Sequence, residues 1–153
     1  MKQASGLIFL SMLCVTAVRA DDVAVDAMMT AGPNGREITA YTADAQKLYA
    51  TFKTKGVSQG DKIRAVWIAD DVGDAASPGT KIDEETLDAK GDMEGEFSLS
   101  RPSPGWPLGK YHVEIYVNSH LATKVPFEIK AAGKSKKEKD KDEEEKEDED
   151  SGD

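Results

Sequence analysis

Hydrophobic and polar residues alternate regularly in residues 97–117. Within residues 110–117 the odd positions are apolar and the even positions are polar or, at Tyr116, amphipathic. Phe97 and Leu99 alternate with polar neighbours in the same way. Because successive side chains of a strand point to opposite faces, this period of two predicts two half-buried strands. Three prolines and two glycines lie between them, which excludes a helix and predicts a rigid crossing loop that carries Trp106.

The same alternation predicts further strands on both sides of this stretch. The strongest covers residues 62–70 and has apolar residues on both faces, so we expect it in the middle of a sheet, with Trp67 at the centre of the core. A last strand contains Pro126, which lacks an N–H group and is tolerated at a sheet edge. The other predicted strands cover residues 23–30, 47–54 and 125–129, with a short second piece of the first edge over 38–42. A short helix starting near Ala43 is the alternative at the start of the 47–54 segment.

Residues 70–96 have the least regular pattern and contain ten acidic residues. Within them, Lys81 to Ala89 is interpreted as a strand centred on Ile82, and one helical turn through Leu87 is the alternative. We expect the acidic residues to make a solubilising loop. A calcium site is the alternative, since calcium binds roughly six to eight oxygen ligands. The spacing of Asp70, Asp71 and Asp74 is not that of an EF-hand loop.

About seven short strands at turn spacings near ten residues predict an all-β fold, an antiparallel β-sandwich. The sequence predicts one domain, residues 21–130, flanked by two terminal segments whose composition differs from that of the domain. Residues 1–20 combine Lys2, an apolar run and small residues at Val18 and Ala20, as in a signal peptide cleaved after Ala20; a retained anchor and an acylated Cys14 are the alternatives. Residues 131–153 contain six lysines and eleven acids, so we expect a disordered charged tail.

Several residues of the predicted domain resemble positions of immunoglobulin-like domains. The segment Leu108 to Val113 resembles the Gly-x-Tyr-x-Cys step before a late strand, with Tyr111 in the place of the corner tyrosine and Val113 where antibody domains have a cysteine. Trp67 resembles the core tryptophan of an earlier strand. The chain thus resembles disulfide-free, fibronectin-type immunoglobulin-like domains of bacterial exported proteins. The resemblance implies the sandwich fold and brings no catalytic residues with it.

The sequence contains little that could support catalysis or hold a cofactor. His112 and His120 are the only histidines, and we expect both to be solvated at the surface. A hydrolase triad or a structural zinc site is therefore not predicted. The formal net charge of −9 repels nucleic acid and anionic lipid surfaces. We predict no enzyme, no cofactor and no nucleic-acid partner.

The resulting prediction is a non-catalytic interaction module that is exported, periplasmic or secreted, and binds a protein partner of the cell envelope. We expect a monomer without a membrane span in the mature chain. The contact is placed at the edge of the strand over residues 23–30, with Met28 as a contact residue, because exposed edges can accept a partner strand. One alternative is a carbohydrate-binding module in which Trp106 and Tyr116 contact the sugar. The competing interpretation of Trp106 is that it packs over the end of the sandwich as a plug. Another is a weak divalent-cation buffer formed by the acidic loop and tail.

Overall fold

Eight strands follow one another in residues 23–133, the part of the chain that the computed structural model describes. The predicted signal peptide and residues 134–153 of the predicted tail lie outside the described residues. The strands are β1 (Ala24–Thr30), β2 (Ala40–Thr42), β3 (Lys47–Lys55), β4 (Gln59–Asp71), β5 (Thr80–Lys90), β6 (Glu94–Ser100), β7 (Gly109–Val117) and β8 (His120–Lys130), with a 3-10 turn at Gly73–Ala75.

The strands form two sheets that face each other. The small sheet has the order β1-β3-β6, and the large sheet has the order β2-β8-β7-β4-β5. All neighbouring strands are antiparallel except β2 and β8, which are parallel. The first, third and sixth strands on one side, and the fourth, fifth, seventh and eighth on the other, make the strand order of an immunoglobulin-like sandwich. The predicted fold class is confirmed.

The core lies between the inward faces of the two sheets. Trp67, on β4, is 1% exposed, and β4 lies between β5 and β7, as its apolar pattern predicted. The ring of Phe127 lies edge-on to Trp67, with 6.2 Å between centroids, and stacks on Tyr111 at 5.4 Å. Aromatic rings from three neighbouring strands of the large sheet thus fill the centre of the sandwich.

The corner tyrosine that the resemblance implies is present. The hydroxyl of Tyr111 donates a hydrogen bond of 2.6 Å to the carbonyl oxygen of Pro107, four residues earlier. Two residues further along β7, Val113 is fully buried and lies opposite Trp67 on β4. Because the chain has one cysteine, it can form no disulfide within itself, and the two sheets are held by packing.

Only the start of the short piece predicted over residues 38–42 continues the edge of β1, where Ile38 N–H donates a hydrogen bond to the carbonyl of Met29; from Ala40 onward that prediction is wrong. The chain still pairs with β1 at Glu37, which bridges Thr30, and then changes sheets. Ala40–Thr42 pairs in parallel with the end of β8. The helix considered near Ala43 is not formed, because the chain makes a tight turn there, with Ala45 N–H bonded to the carbonyl of Thr42.

The strand interpretation of Lys81 to Ala89 is confirmed, and β5 is longer than predicted. Asp83 and Glu85 lie opposite the inward-facing Trp67 and Ala65, yet both are exposed. The small sheet therefore does not cover this edge of the large sheet. From Thr80 to Thr86 both faces of β5 contact water, whereas Leu87 and Ala89 pack on the core. The exposed part of the strand therefore shows no clear apolar alternation.

Candidate functional site

A concavity of about 470 Å³ lies on the outer face of the small sheet. The sheet register builds it from two rows of side chains that cross all three strands. The first row is Asp26, Lys53 and Glu94, and the second is Met28, Thr51 and Glu96. The turn at Pro33 and Asn34, just after β1, completes its wall. Met28, the predicted contact residue, is thus part of this concavity.

The charges around Met28 are not balanced. Lys53 forms an ion pair with Glu94, with 2.6 Å between Nζ and Oε1. Asp26 and Glu96 form no ion pair with any of residues 23–133. The half-buried Met28 therefore shares this concavity with three carboxylates and one ammonium group, an excess of negative charge. This arrangement suits an apolar side chain that has a cationic group beside it.

The two methionines of β1 have opposite environments. Met29 faces the core and is 1% exposed, whereas Met28 faces outward and is half-buried. The contact is predicted at the edge of this strand, and β1 also lies close to β8 of the other sheet. Met28 itself lies on the outer face of β1.

Trp106 does not offer a stacking surface. The residue is 6% exposed, and its indole N–H donates a hydrogen bond of 2.7 Å to the carbonyl oxygen of Ala45. This is the position that the plug alternative describes. The carbohydrate hypothesis required an exposed Trp106 beside Tyr116, and burial removes one of those two rings.

Tyr116 lies on the outer face of the large sheet. The guanidinium of Arg64 covers one side of its ring, 4.5 Å from the centroid, and its hydroxyl donates a hydrogen bond of 2.7 Å to Glu114. Trp106 lies in the loop before β7, and Tyr116 is near the end of that strand, about 20 Å away at the rise of a strand. The two predicted ligand contacts are not brought together.

His112 is not solvated, so that expectation is wrong. Its side chain is 15% exposed, because it lies between two carboxylates on the outer face of the large sheet. Its Nδ1 is 2.8 Å from both oxygens of Asp70, and its Nε2 is 3.4 Å from Glu114. Asp70 belongs to the neighbouring strand, and this cross-strand contact cannot be seen in the sequence without the register. Strand periodicity did place His112 and Glu114 on one face.

Glu114 is the electrostatic centre of this network. Its side chain is 12% exposed, and Lys124 Nζ is 2.6 Å from Oε1. The hydrogen bonds from Lys124 and Tyr116 lower the pKa of Glu114 from 4.5 to about 2. The network joins three neighbouring strands of the large sheet, β4, β7 and β8, so we assign it a structural role.

The lowered pKa predicts how Glu114→Gln will change acid stability. Because the folded-state pKa lies below the unfolded value, the stabilisation is complete above about pH 4.5 and is lost as the pH falls towards 2. We expect the wild-type chain to be more stable than the variant at pH 6 by about 1–2 kcal/mol, after allowance for screening at the half-exposed Lys124. Urea unfolding at pH 6, 4 and 2 measures this, and a difference that does not shrink with falling pH would refute it.

The described residues provide no metal-binding cluster and no membrane-spanning helix. Within residues 23–133, no group of three or more His, Cys, Asp or Glu side chains is arranged to hold a metal ion. The same part of the chain contains no helix with the length and apolar character that crossing a bilayer requires. The cation-buffer hypothesis for the tail stays a prediction, since residues 134–153 lie outside the described part.

Comparison of the chain with known proteins reveals similarity of fold but does not indicate a function. No family model and no curated protein matches the chain. Among solved structures, an immunoglobulin-like protein from Pseudomonas aeruginosa has a TM-score of 0.49 and 13% identity over 71% of this chain and 97% of that one. An alkylpurine DNA glycosylase from Pseudomonas fluorescens has a TM-score of 0.45 and 14% identity over 71% of this chain. A β-glucosidase from Listeria innocua has a TM-score of 0.44 and 13% identity over 72% of this chain.

This chain spans 30% of the glycosylase and 16% of the β-glucosidase, so their activities are not transferred to it. Because all these scores are low, the fold assignment depends on the strand order and the Tyr111 hydrogen bond. The described part of the chain is an immunoglobulin-like β-sandwich, and the chain can form no internal disulfide.

Proposed function

We propose that this domain is a non-catalytic interaction module that binds a protein partner through the concavity around Met28. The observation that carries the proposal is a half-buried methionine in a concavity lined by three carboxylates and one ammonium group, in which Asp26 and Glu96 form no ion pair with residues 23–133. Methionine is flexible and polarisable, so it adapts to different apolar side chains. The flanking carboxylates add charge-assisted hydrogen bonds to lysine or arginine.

The partner that fits this concavity is a cationic segment of another protein with one large apolar residue. Its apolar side chain contacts Met28, and its basic residues pair with Asp26 and Glu96. The acidic net charge supports such a partner, since it attracts basic proteins over a distance and repels nucleic acid and anionic lipid. The predicted signal peptide supports a partner in the cell envelope or outside the cell, and we propose that the module is a monomer.

A pair of substitutions on the same sheet face tests this proposal. Met28→Asp adds a fourth carboxylate to the concavity and removes the apolar contact, whereas Ser98→Asp adds a carboxylate on β6 outside the concavity. The full chain and both variants are immobilised and exposed to an array of 15-residue peptides whose net charge ranges from −5 to +5.

We expect the wild-type chain and Ser98→Asp to retain cationic peptides that contain a large apolar residue. Met28→Asp should lose at least about tenfold in affinity for them, the effect of about 1.4 kcal/mol. Equal retention by both variants, or a preference for acidic peptides, would contradict the proposed site.

A further inference from the structure

β5 is an edge strand with an unusually open side. It pairs with β4 on one side only, and nine of its eleven residues are exposed. Its residues contain no proline. The other long edge of the large sheet is different: β8 carries Pro126 where β2 no longer pairs with it. A proline at an edge prevents any further strand from pairing there. The charges of β5 and the bulge opposite Trp67 and Ile68 disfavour pairing with an uncharged or acidic strand but leave this edge open to a strand of opposite charge.

The hydrogen bonds around β4 show which peptide groups of β5 face outward. Asn118 N–H donates to the carbonyl of Lys62, so the even-numbered residues of β4 face β7. The odd-numbered residues of β4 therefore face β5, where Ile63 pairs with Leu87. Antiparallel pairing alternates in this way along the strand, so the N–H and C=O groups of Thr86 point away from β4.

The same parity applies to the neighbours of Thr86. Asp88 has its peptide groups towards the free edge, as does Glu84, whose N–H is bonded to the carboxylate of Asp83 at 2.9 Å. By this parity, the N–H groups of Thr86 and Asp88 point away from β4, the only strand with which β5 pairs in residues 23–133. Backbone donors and acceptors are thus available over a span that a partner strand can use.

The charges on β5 define the kind of strand that fits. On the outer face, Glu84 pairs with Arg64 and Lys81, and Asp88 pairs with Lys62. On the face that the small sheet leaves uncovered, Asp83 and Glu85 form no ion pair with other described residues. A second β5 strand would place like charges against each other, which disfavours pairing between copies.

We propose that β5 accepts an added strand from a partner protein, an extended segment with lysine or arginine at alternate positions. Its backbone pairs with Thr86 and Asp88, and its basic side chains pair with Asp83 and Glu85. This surface belongs to the large sheet and is separate from the Met28 concavity on the small sheet. The two proposals can therefore fail independently.

Amide hydrogen exchange of the full chain tests the proposal at single residues. The probe is the end-blocked peptide Lys-Thr-Lys-Val-Lys-Thr-Lys at millimolar concentration, and the control is the same peptide with glutamate in place of lysine. We expect the basic peptide to slow the exchange of the Thr86 and Asp88 amides at least about tenfold. The Leu87 amide, already directed at β4, should not change.

Two substitutions at one position separate strand addition from attraction of charge. Thr86→Pro removes an outward N–H without removing a hydrogen bond to β4, so it should abolish the protection of Asp88 while far-UV circular dichroism stays unchanged. Thr86→Ala keeps the N–H and should retain the protection. Protection by the acidic peptide, persistence in Thr86→Pro, or no protection at all would overturn the proposal. Protection that rises with protein concentration in the absence of peptide would also overturn it, because it would identify a second copy as the occupant.

Discussion

Gly109→Ala is expected to destabilise the domain by at least about 3 kcal/mol, the upper end of ordinary substitutions. Gly109 begins β7 at a φ of +147°, a conformation that side chains disfavour. An added Cβ would lie 2.0 Å from the carbonyl oxygen of Asp71, at the irregular end of β4. Because the obstacle is backbone, the chain can relieve the overlap only by separating β4 from β7. Urea unfolding followed by circular dichroism measures the loss.

A second glycine gives the matched control for this prediction. Gly91 has a φ of +107°, but an added Cβ would meet nothing within 4 Å. Gly91→Ala therefore reports the conformational cost alone, about 1–2 kcal/mol. If the two variants lost equal stability, the close contact between Gly109 and Asp71 would not be a constraint on the fold.

Trp67→Ala is expected to cost about 3–5 kcal/mol, as for other large aromatic residues removed from a core. The side chain is 1% exposed, and its ring lies edge-on to that of Phe127 on β8 of the same sheet. The total stability of a domain of this size is about 5–15 kcal/mol, and no disulfide limits the unfolded state. We therefore expect the variant to be partly unfolded at 37 °C, which thermal denaturation will show.

Trp67→Phe controls for the loss of volume. It keeps an aromatic ring in the core, so the expected loss lies between those of the wild-type chain and Trp67→Ala. A loss of under about 1 kcal/mol in Trp67→Ala, comparable to an average surface change, would mean that Trp67 is not at the centre of the core.

Alternation of apolar and polar residues predicted most of the strands, because most strands have one buried face and one solvent-exposed face. β4 and β7 lie in the middle of the large sheet, and their inward residues form the core that the sequence indicates. Tyr111 was predictable as a corner tyrosine only because its Gly-x-Tyr step resembles that of immunoglobulin-like domains. The end of the first edge was not predictable. The chain pairs with β1 at Glu37 and with β8 from Ala40 onward, and the β8 pairing joins residues that are far apart in the sequence.

β5 shows where such patterns lose their information. Its inward positions include Asp83 and Glu85, which the narrower small sheet leaves in water. A strand segment that is solvent-exposed on both faces needs no apolar alternation, so its sequence resembles that of an acidic loop. The width of the opposite sheet, which decides this, depends on pairings between distant residues.

The candidate site could be predicted only in part. Met28 was a predicted contact residue, but the concavity also needs Thr51 and Glu96, which are far apart in the sequence and meet through the register of β1, β3 and β6. The choice of Glu94, and not Asp26, as the ion-pair partner of Lys53 also depends on the three-dimensional arrangement of the side chains. Trp106 was the more obvious candidate from its sequence context, and the indole hydrogen bond to Ala45 shows why it is not accessible.

Methyl NMR of the full chain labelled at its methionines tests the proposed function most directly. Met28 and Met29 are adjacent in the sequence, but one lines the concavity and the other is sealed in the core. On addition of a cationic peptide selected from the array, we expect the Met28 methyl resonance to shift in a saturable way and the Met29 resonance to stay in place. Saturable binding with an unchanged Met28 resonance would contradict this account.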